Sequence, residues 1–527
     1  MDEYKTGKER AMDAIGGILG GLLEVSTPLL TPLLQAIDPE PITGLINKVP
    51  TVGKLLKADL DADALGLVAL LKNEELIKGA IKLVKENEEV LAKYLSGLDP
   101  SIITEVCNGN PKMLPAIIGD IHPELMEAAS GLLGITNEFV CPHIIFGKDA
   151  LSRSRKFLMG KGRKAVIVTD KGVVNLGYAE TVKDMLEGID YEVKIFDEVE
   201  PDPQMPTVEK GGEMIREFGP DWIIALGGGS CMDAAKGMWI KYANPGAPLA
   251  GINPLQEYRL REKAHFMAIP TTSGTGADAT WAVVLTDPEA KRKLGMGNNE
   301  VVADVSVLDT RFPSAMPKKL TAGTGLDVLA HAFGGYVSRW RTDFADAMCL
   351  HGARLALKYL LRAYKNPDDM EAREKMHNAA TIAGIGFGNS QVTLEHSIGH
   401  AVGSLHHLHH GLAVGIALPY TIQFYAKEEK AREMYAELAS GLGIGFKDGG
   451  DAVDKIVEKL RSLMDEIEAP KSYGETEIKE EDWKRYKKDV MEVAYYDSCY
   501  FVSPRIPSID ELDKILDCCW EGRDVTF

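Results

Sequence analysis

The sequence predicts an α/β class protein with two further helical parts. A dinucleotide-binding parallel-sheet domain (136–312) is followed by an all-helical domain (313–527) and preceded by a helical module (1–135). Three observations lead there. Between about 137 and 312, short β-branched or apolar runs alternate with helical segments, the pattern of βαβ units. After about 313 the periodicity is almost entirely helical. Before 135 the only aromatic residues are Tyr4 and Tyr94, in a background of Leu, Ile, Lys and Glu.

In the first part, 64–95 (ALGLVALLKNEELIKGAIKLVKENEEVLAKYL) places apolar residues three and four apart with charges between them, which is amphipathic helix. Pro100, Pro111, Pro115 and Pro123 then punctuate shorter helices. Residues 14–36 are very apolar, with Glu24 as the only charge. The mixed charges before them and the lack of a small-residue cleavage site speak against a signal peptide. Glu24, Pro28 and Pro32 speak against a transmembrane segment. Two readings stay open: a helix pair buried or facing a partner protein, and a peripheral membrane contact. The first makes 1–135 an assembly module, joining copies of the chain into a homo-oligomer or docking a partner enzyme.

In the middle part the expected strands are 164–170 (KAVIVTD), 191–197 (YEVKIFD), 221–227 (DWIIALG) and 265–272 (HFMAIPTT). Helices at 177–188 and 207–219 separate them, and 342–364 is a long helix of the last part. A net charge of −19 disfavours nucleic acid and anionic membranes as partners. Seven scattered cysteines without a CxxC pair point away from a disulfide framework and towards a reducing, cytoplasmic setting.

Three groups of residues carry chemistry. Residues 227–236, GGGSCMDAAK, follow a buried strand and open a helix. Glycines let backbone approach a phosphate, and free N–H groups at a helix start bind it. Gly228, Gly229 and Ser230 line that turn, with Asp233 behind them. The loop at 270–278 adds the hydroxyls of Thr271, Thr272, Ser273 and Thr275, read as a second wall of a cofactor cleft or as a solvated turn. Asp170 ends a strand. It either accepts hydrogen bonds from an adenosine ribose and repels a 2′-phosphate, or caps the next helix. The third group is Asp327, His331, His396 and His410. Asp327 and His331 share a helix face at spacing four, and His396 and His410 are fourteen apart. One carboxylate and three imidazoles form a ligand set for a divalent transition metal. His406, His407 and His409 are read as surface or supporting residues. A metal site and a dinucleotide site together suggest hydride transfer to or from a carbon whose oxygen a metal polarises.

These motifs resemble the iron-containing (group III) alcohol dehydrogenases. The resemblance rests on GGGSxxDxAK at 227–236, PTTSGTG at 270–276, GxDxxxHA at 325–332, and HxxxHxxG followed by HHG at 396–411. It covers roughly 137–527 and leaves 1–135 unmatched. It implies metal ligation by Asp327, His331, His396 and His410, with Fe2+ as the ion and Zn2+ as the alternative. It implies NAD contacts from Asp170, Gly228, Gly229, Ser230, Asp233, Thr271, Thr272, Thr275 and Lys293. His400 matches a histidine near the nicotinamide, where it is available for proton relay as the catalytic residue. The substrate class implied is a small alcohol or aldehyde. The chain departs from the family pattern at Asp202, where Asn is common, and at Glu395, a charge beside the third ligand. The competing readings are a polyol (glycerol or propanediol type) dehydrogenase of the same superfamily, a dehydroquinate-synthase-like lyase, a reductase without metal, and a scaffold protein built around 1–135. The lyase needs Lys and Arg residues around a phosphate and carboxylate pocket, which the sequence does not display.

Overall fold

The computed structural model describes residues 138–527 apart from 253, 255 and 289–291, and residues 138–527 form one compact unit. The expected helical module at 1–135, with its apolar stretch, lies outside the described residues.

The unit begins with β1 (His143–Phe146), α1 (Ala150–Leu158), β2 (Lys164–Val168), α2 (Lys171–Asn175), α3 (Tyr178–Glu187), β3 (Glu192–Phe196), α4 (Met205–Phe218), β4 (Trp222–Gly227) and α5 (Gly229–Ala243). After β5 (His265–Pro270), an antiparallel hairpin of β6 (Ala282–Asp287) and β7 (Arg292–Gly297) precedes β8 (Val305–Leu308). The six other strands form one parallel sheet in the order β1-β8-β5-β4-β2-β3.

Successive residues along these strands point to opposite faces, and both faces are covered. Val166, Val168, Ile223, Ala225, Phe266 and Ala268 join one buried cluster that also takes in α5. Ala165, Ile167, Trp222, Ile224, Met267 and Ile269 join the other, with α1 and α3. That is why the strand sequences read as unbroken apolar runs. The chain goes from β2 outward to β3 and then crosses back to β4 on the other side of β2. This reversal opens a crevice at the carboxyl ends of β2 and β4, where open α/β sheets bind ligands. The register pairs Val168 with Ala225 and Gly227 with Pro270, so Asp170, the glycine turn and the Thr271 loop share that edge.

The helical part comprises α6 (Lys318–Val337), α7 (Asp343–Lys365), α8 (Met370–Gly388), α9 (Leu394–His406), α10 (His410–Tyr425), α11 (Glu429–Gly441), α12 (Gly449–Glu466), α13 (Glu480–Tyr495), the short α14 (Ser498–Phe501) and α15 (Ile509–Glu521). α6 is buried on every side from Thr321 to Val337, packed against α7, α8 and α10. A helix apolar all round belongs at a centre rather than a surface. The six cysteines among the described residues are free thiols, and no described helix is long and apolar enough to cross a membrane.

Candidate active site

The cofactor crevice is built first from backbone. Gly228 stands at the start of α5, and no side chain among the described residues caps that end, which leaves its first N–H groups for an anion. Ser230 and Asp233 lie in the first turns of the same helix. Burial pushes the Asp233 carboxyl above its usual range, with Lys236 pulling the other way. Lys236 is fully buried and donates to the Thr280 and Ala282 carbonyl oxygens at 2.8 and 2.9 Å, which ties α5 to the start of the hairpin. The Thr271 N–H donates to the Gly227 carbonyl at 2.9 Å. The glycine turn and the threonine loop therefore touch: a Cβ on Gly229 would lie 2.9 Å from Thr275 Cγ2.

Asp170 caps α2, with Oδ1 accepting from the Val173 N–H at 2.9 Å. Its Oδ2 accepts from the Cys231 thiol at 3.3 Å. The capping reading of Asp170 therefore holds, and Oδ2 faces the glycine turn. Lys293, on β7, is paired with Asp202 at 2.6 Å, an ion pair between two residues 91 apart in sequence. Asp202 itself sits in a left-handed turn with φ 57°.

The four candidate metal ligands converge from three helices. Asp327 and His331 lie on α6, His396 on α9, and His410 is the first residue of α10. Gly411 lets α10 come this close, since a Cβ there would lie 2.3 Å from the Gly323 carbonyl oxygen of α6. Phe387 stacks on His331 with ring centroids 4.1 Å apart and holds its plane. The Nε2 atoms of His331, His396 and His410 lie 3.6, 3.8 and 3.5 Å from one oxygen of Asp327. These distances are too long for hydrogen bonds. Tetrahedral ligands about 2.1 Å from a shared ion would stand about 3.4 Å apart. Asp327 Oδ1 and His396 Nε2 are buried without a hydrogen-bond partner among the described residues. Such orphans, aimed at one point, fit a divalent cation.

The electrostatics of the imidazoles agree with that geometry, and among the described residues the Asp327 carboxyl has no cation beside it to keep it ionised. Burial pushes the Asp327 carboxyl up to about 8. Burial, reinforced by the neighbouring imidazoles, holds His331 and His410 well below the usual histidine value. Burial also lowers His396, against the pull of Glu395. Neutral imidazoles offer lone pairs, as ligation requires.

His400, one turn along α9 from His396, stacks on His410 at 5.2 Å. Its Nδ1 is hydrogen-bonded to Asp497 Oδ2 at 2.7 Å. Burial raises the Asp497 carboxyl, but His400 and the Cys499 hydrogen bonds outweigh it and hold Asp497 down at about 2. Sequence reasoning does not place Asp497 in the site, because it stands 97 residues from His400 with no motif to link the two. The remaining histidines of the run stay outside the ligand set: His406 stacks on Trp483 at 5.8 Å and His407 is exposed. His409 packs against α6 at Gly323.

Comparison with known proteins bears directly on this arrangement. The model for iron-containing alcohol dehydrogenase matches residues 141–310, and that for the C-terminal part of the Fe-containing alcohol dehydrogenase family matches 321–520. This chain belongs to the iron-containing alcohol dehydrogenase family. The NADPH-dependent butanol dehydrogenase of Clostridium saccharobutylicum is 36% identical over 73% of this chain and 98% of its own length. The NAD-dependent methanol dehydrogenase of Bacillus methanolicus is 31% identical over 72% of this chain and 99% of its own. Against the bifunctional aldehyde-alcohol dehydrogenase AdhE of Escherichia coli (36% identical over 69% of this chain), the match spans 43% of that longer protein. Among solved structures, the iron-containing alcohol dehydrogenase of Thermococcus thioreducens superposes with a TM-score of 0.67 at 28% identity, over 73% of this chain and 99% of that one. A 1,3-propanediol oxidoreductase superposes with a TM-score of 0.67 at 30% identity, over 73% of this chain and 99% of that one.

Proposed function

We propose that this family member interconverts a small alcohol and its aldehyde with NAD(H), at a divalent metal held by Asp327, His331, His396 and His410. The observation that carries the proposal is the single Asp327 oxygen facing three imidazole Nε2 atoms at 3.5–3.8 Å, beside a dinucleotide crevice. Fe2+ is the expected ion and Zn2+ suits the same donors. The bound ion supplies Lewis-acid polarisation of the substrate oxygen.

The residues of the chain do the rest. The uncapped start of α5, with Gly228, Gly229 and Ser230, binds the pyrophosphate. Thr271, Thr272 and Thr275 close the opposite wall, and Lys293 offers a positive charge from β7. Asp170 faces the adenosine ribose and disfavours a 2′-phosphate. His400, with Nδ1 held by Asp497, keeps Nε2 free to hold or pass a proton on the substrate side. The buried surroundings of Asp327 and His331 exclude water.

The functional boundaries follow the two parts: nucleotide binding within 136–312, metal and substrate within 313–527. Residues 1–135 serve assembly in this reading, as a homo-oligomer contact or a dock for a partner enzyme; their removal should lower the assembly state in light scattering while activity persists. Free thiols and the absence of a spanning helix among the described residues support a cytoplasmic setting. The decisive experiment is metal analysis of anaerobically purified protein with NAD+ and NADP+ reduction screened over short alcohols and diols. No reduction of either cofactor by metal-loaded protein would overturn the proposal.

A further inference from the structure

Glu395 is a fully buried acid next to a candidate metal ligand, and its surroundings are built for it. Oε1 accepts from the Thr393 N–H at 3.0 Å, and Oε2 accepts from the Thr393 hydroxyl at 2.6 Å. Oε1 also lies 3.1 Å from His396 Nδ1. Gly334 of α6 leaves the space, because a Cβ there would fall 2.3 Å from Glu395 Oε1. The helix that carries Asp327 and His331 is thus shaped to admit a second carboxylate.

Two facts make this more than local packing. Among the described residues, the only ion-pair partner of Glu395 is His396, so no lysine or arginine balances it. A buried acid without a cation is costly, and its compensation must come from nearby. The nearest place for a cation is across the same imidazole. With Nδ1–H directed at Glu395, the His396 ring turns its unprotonated Nε2 towards Asp327 Oδ1, where it has no other partner. A carboxylate behind a ligating histidine fixes the tautomer and makes the ring a stronger donor.

We infer that Glu395 is the positioning residue of the metal centre: it locks His396 in the ligating tautomer and, with Asp327, matches the two positive charges of a divalent ion, so that it governs metal retention. This rests on the metal reading of the four-residue set. Glu395 touches neither substrate nor cofactor in this role.

The test is metal affinity, measured without turnover. Fe2+ (anaerobically) and Zn2+ are titrated by chelator competition into the full-length protein and its Glu395→Gln and Glu395→Leu variants. Melting curves are recorded with and without metal. Glu395→Gln keeps a hydrogen-bond acceptor for His396 and removes the charge, so it should bind about tenfold more weakly. Glu395→Leu removes both and should lose up to about a hundredfold, the range for such supporting groups. Metal-free Glu395→Gln should melt no lower than wild type, while its gain on metal binding shrinks. A role confined to the Thr393 turn gives the opposite result: lower metal-free melting with unchanged affinity, which overturns the inference. If Glu395→Leu does not fold, Glu395→Gln alone decides. Wild-type protein that binds neither ion refutes the metal reading itself. Wild-type binding with Glu395→Gln within about twofold refutes only the role of Glu395.

Discussion

Replacing Gly229 by alanine adds one methyl group at the seam between the glycine turn and the threonine loop. That Cβ would stand 2.9 Å from Thr275 Cγ2 and 3.3 Å from its Oγ1. Carbon atoms prefer about 3.5–4.0 Å, so the two walls must separate by roughly 0.6–1 Å. Turning Thr275 away instead would break its bond from the Ala277 N–H at 3.3 Å. The helix itself gains, because alanine is favoured over glycine in helices by about 1 kcal/mol. Melting should therefore stay near wild type while the cofactor cleft suffers. A misplacement of about 1 Å costs up to a hundredfold, so kcat/KM for NAD should fall roughly tenfold to a hundredfold. Thr275→Ser removes the clashing methyl and keeps the hydroxyl. Added to Gly229→Ala it should restore most of the loss, a coupling of about 1–2 kcal/mol in a double-mutant cycle. Fluorescence titration of NADH and initial rates measure both effects. If Gly229→Ala binds NADH within about twofold of wild type, or if Thr275→Ser brings no recovery, the two loops do not form the cofactor cleft as argued.

Three further outcomes are expected. His331→Ala and His410→Ala should each lose bound metal and turnover with circular dichroism unchanged; metal content near wild type in either would remove the metal site. Asp170→Gly should narrow or reverse a preference for NAD over NADP, at a cost of only about 0.3 kcal/mol at the start of α2, because glycine is itself tolerated as a cap. A wild-type enzyme that uses NADPH at least as well as NADH would contradict the ribose role. Burial holds the His377 imidazole, whose Nδ1 lies 3.1 Å from Ser273 Oγ, down at about 4 against an ordinary 6.5. The folded state disfavours its proton, so its stabilising share is complete above pH 6.5 and is lost as pH falls towards 4, about 3 kcal/mol in all. Denaturant midpoints between pH 7 and 4.5 should fall less steeply in His377→Gln than in wild type, and equal slopes would refute this.

Much of the architecture is legible in the sequence. β2, β4 and β5 fall inside the expected strands because strands covered on both faces are unbroken apolar runs, and β3, at the sheet edge, because exposed Glu192 and Lys194 alternate with half-buried Val193 and Ile195. The long helix expected at 342–364 is α7, Asp343–Lys365. The candidate ligands were readable because helical spacing puts Asp327 and His331 on one face, and because histidines cluster at 396–410. β1 and β8, each four residues long, and the β6–β7 hairpin escaped notice. Four residues are too few to establish a period, and the hairpin strands meet at the charged pair Asp287 and Arg292, which reads as loop.

What a single chain does not carry is who meets whom. Periodicity records that a face is buried, never against what. The order of strands, and hence the crevice that gathers Asp170, Gly228 and Thr271, follows from crossovers between segments far apart in sequence. Asp497 stands 97 residues beyond His400. Lys293 and Asp202 are 91 residues apart and appear in the sequence as two unrelated charges. Glu395 was visible as an odd charge beside a histidine. Its meaning depended on Gly334 making room and on no lysine or arginine among the described residues pairing with it. Hydrogen bonds and close approaches over such separations act through space, and they leave no spacing in the chain from which to read them.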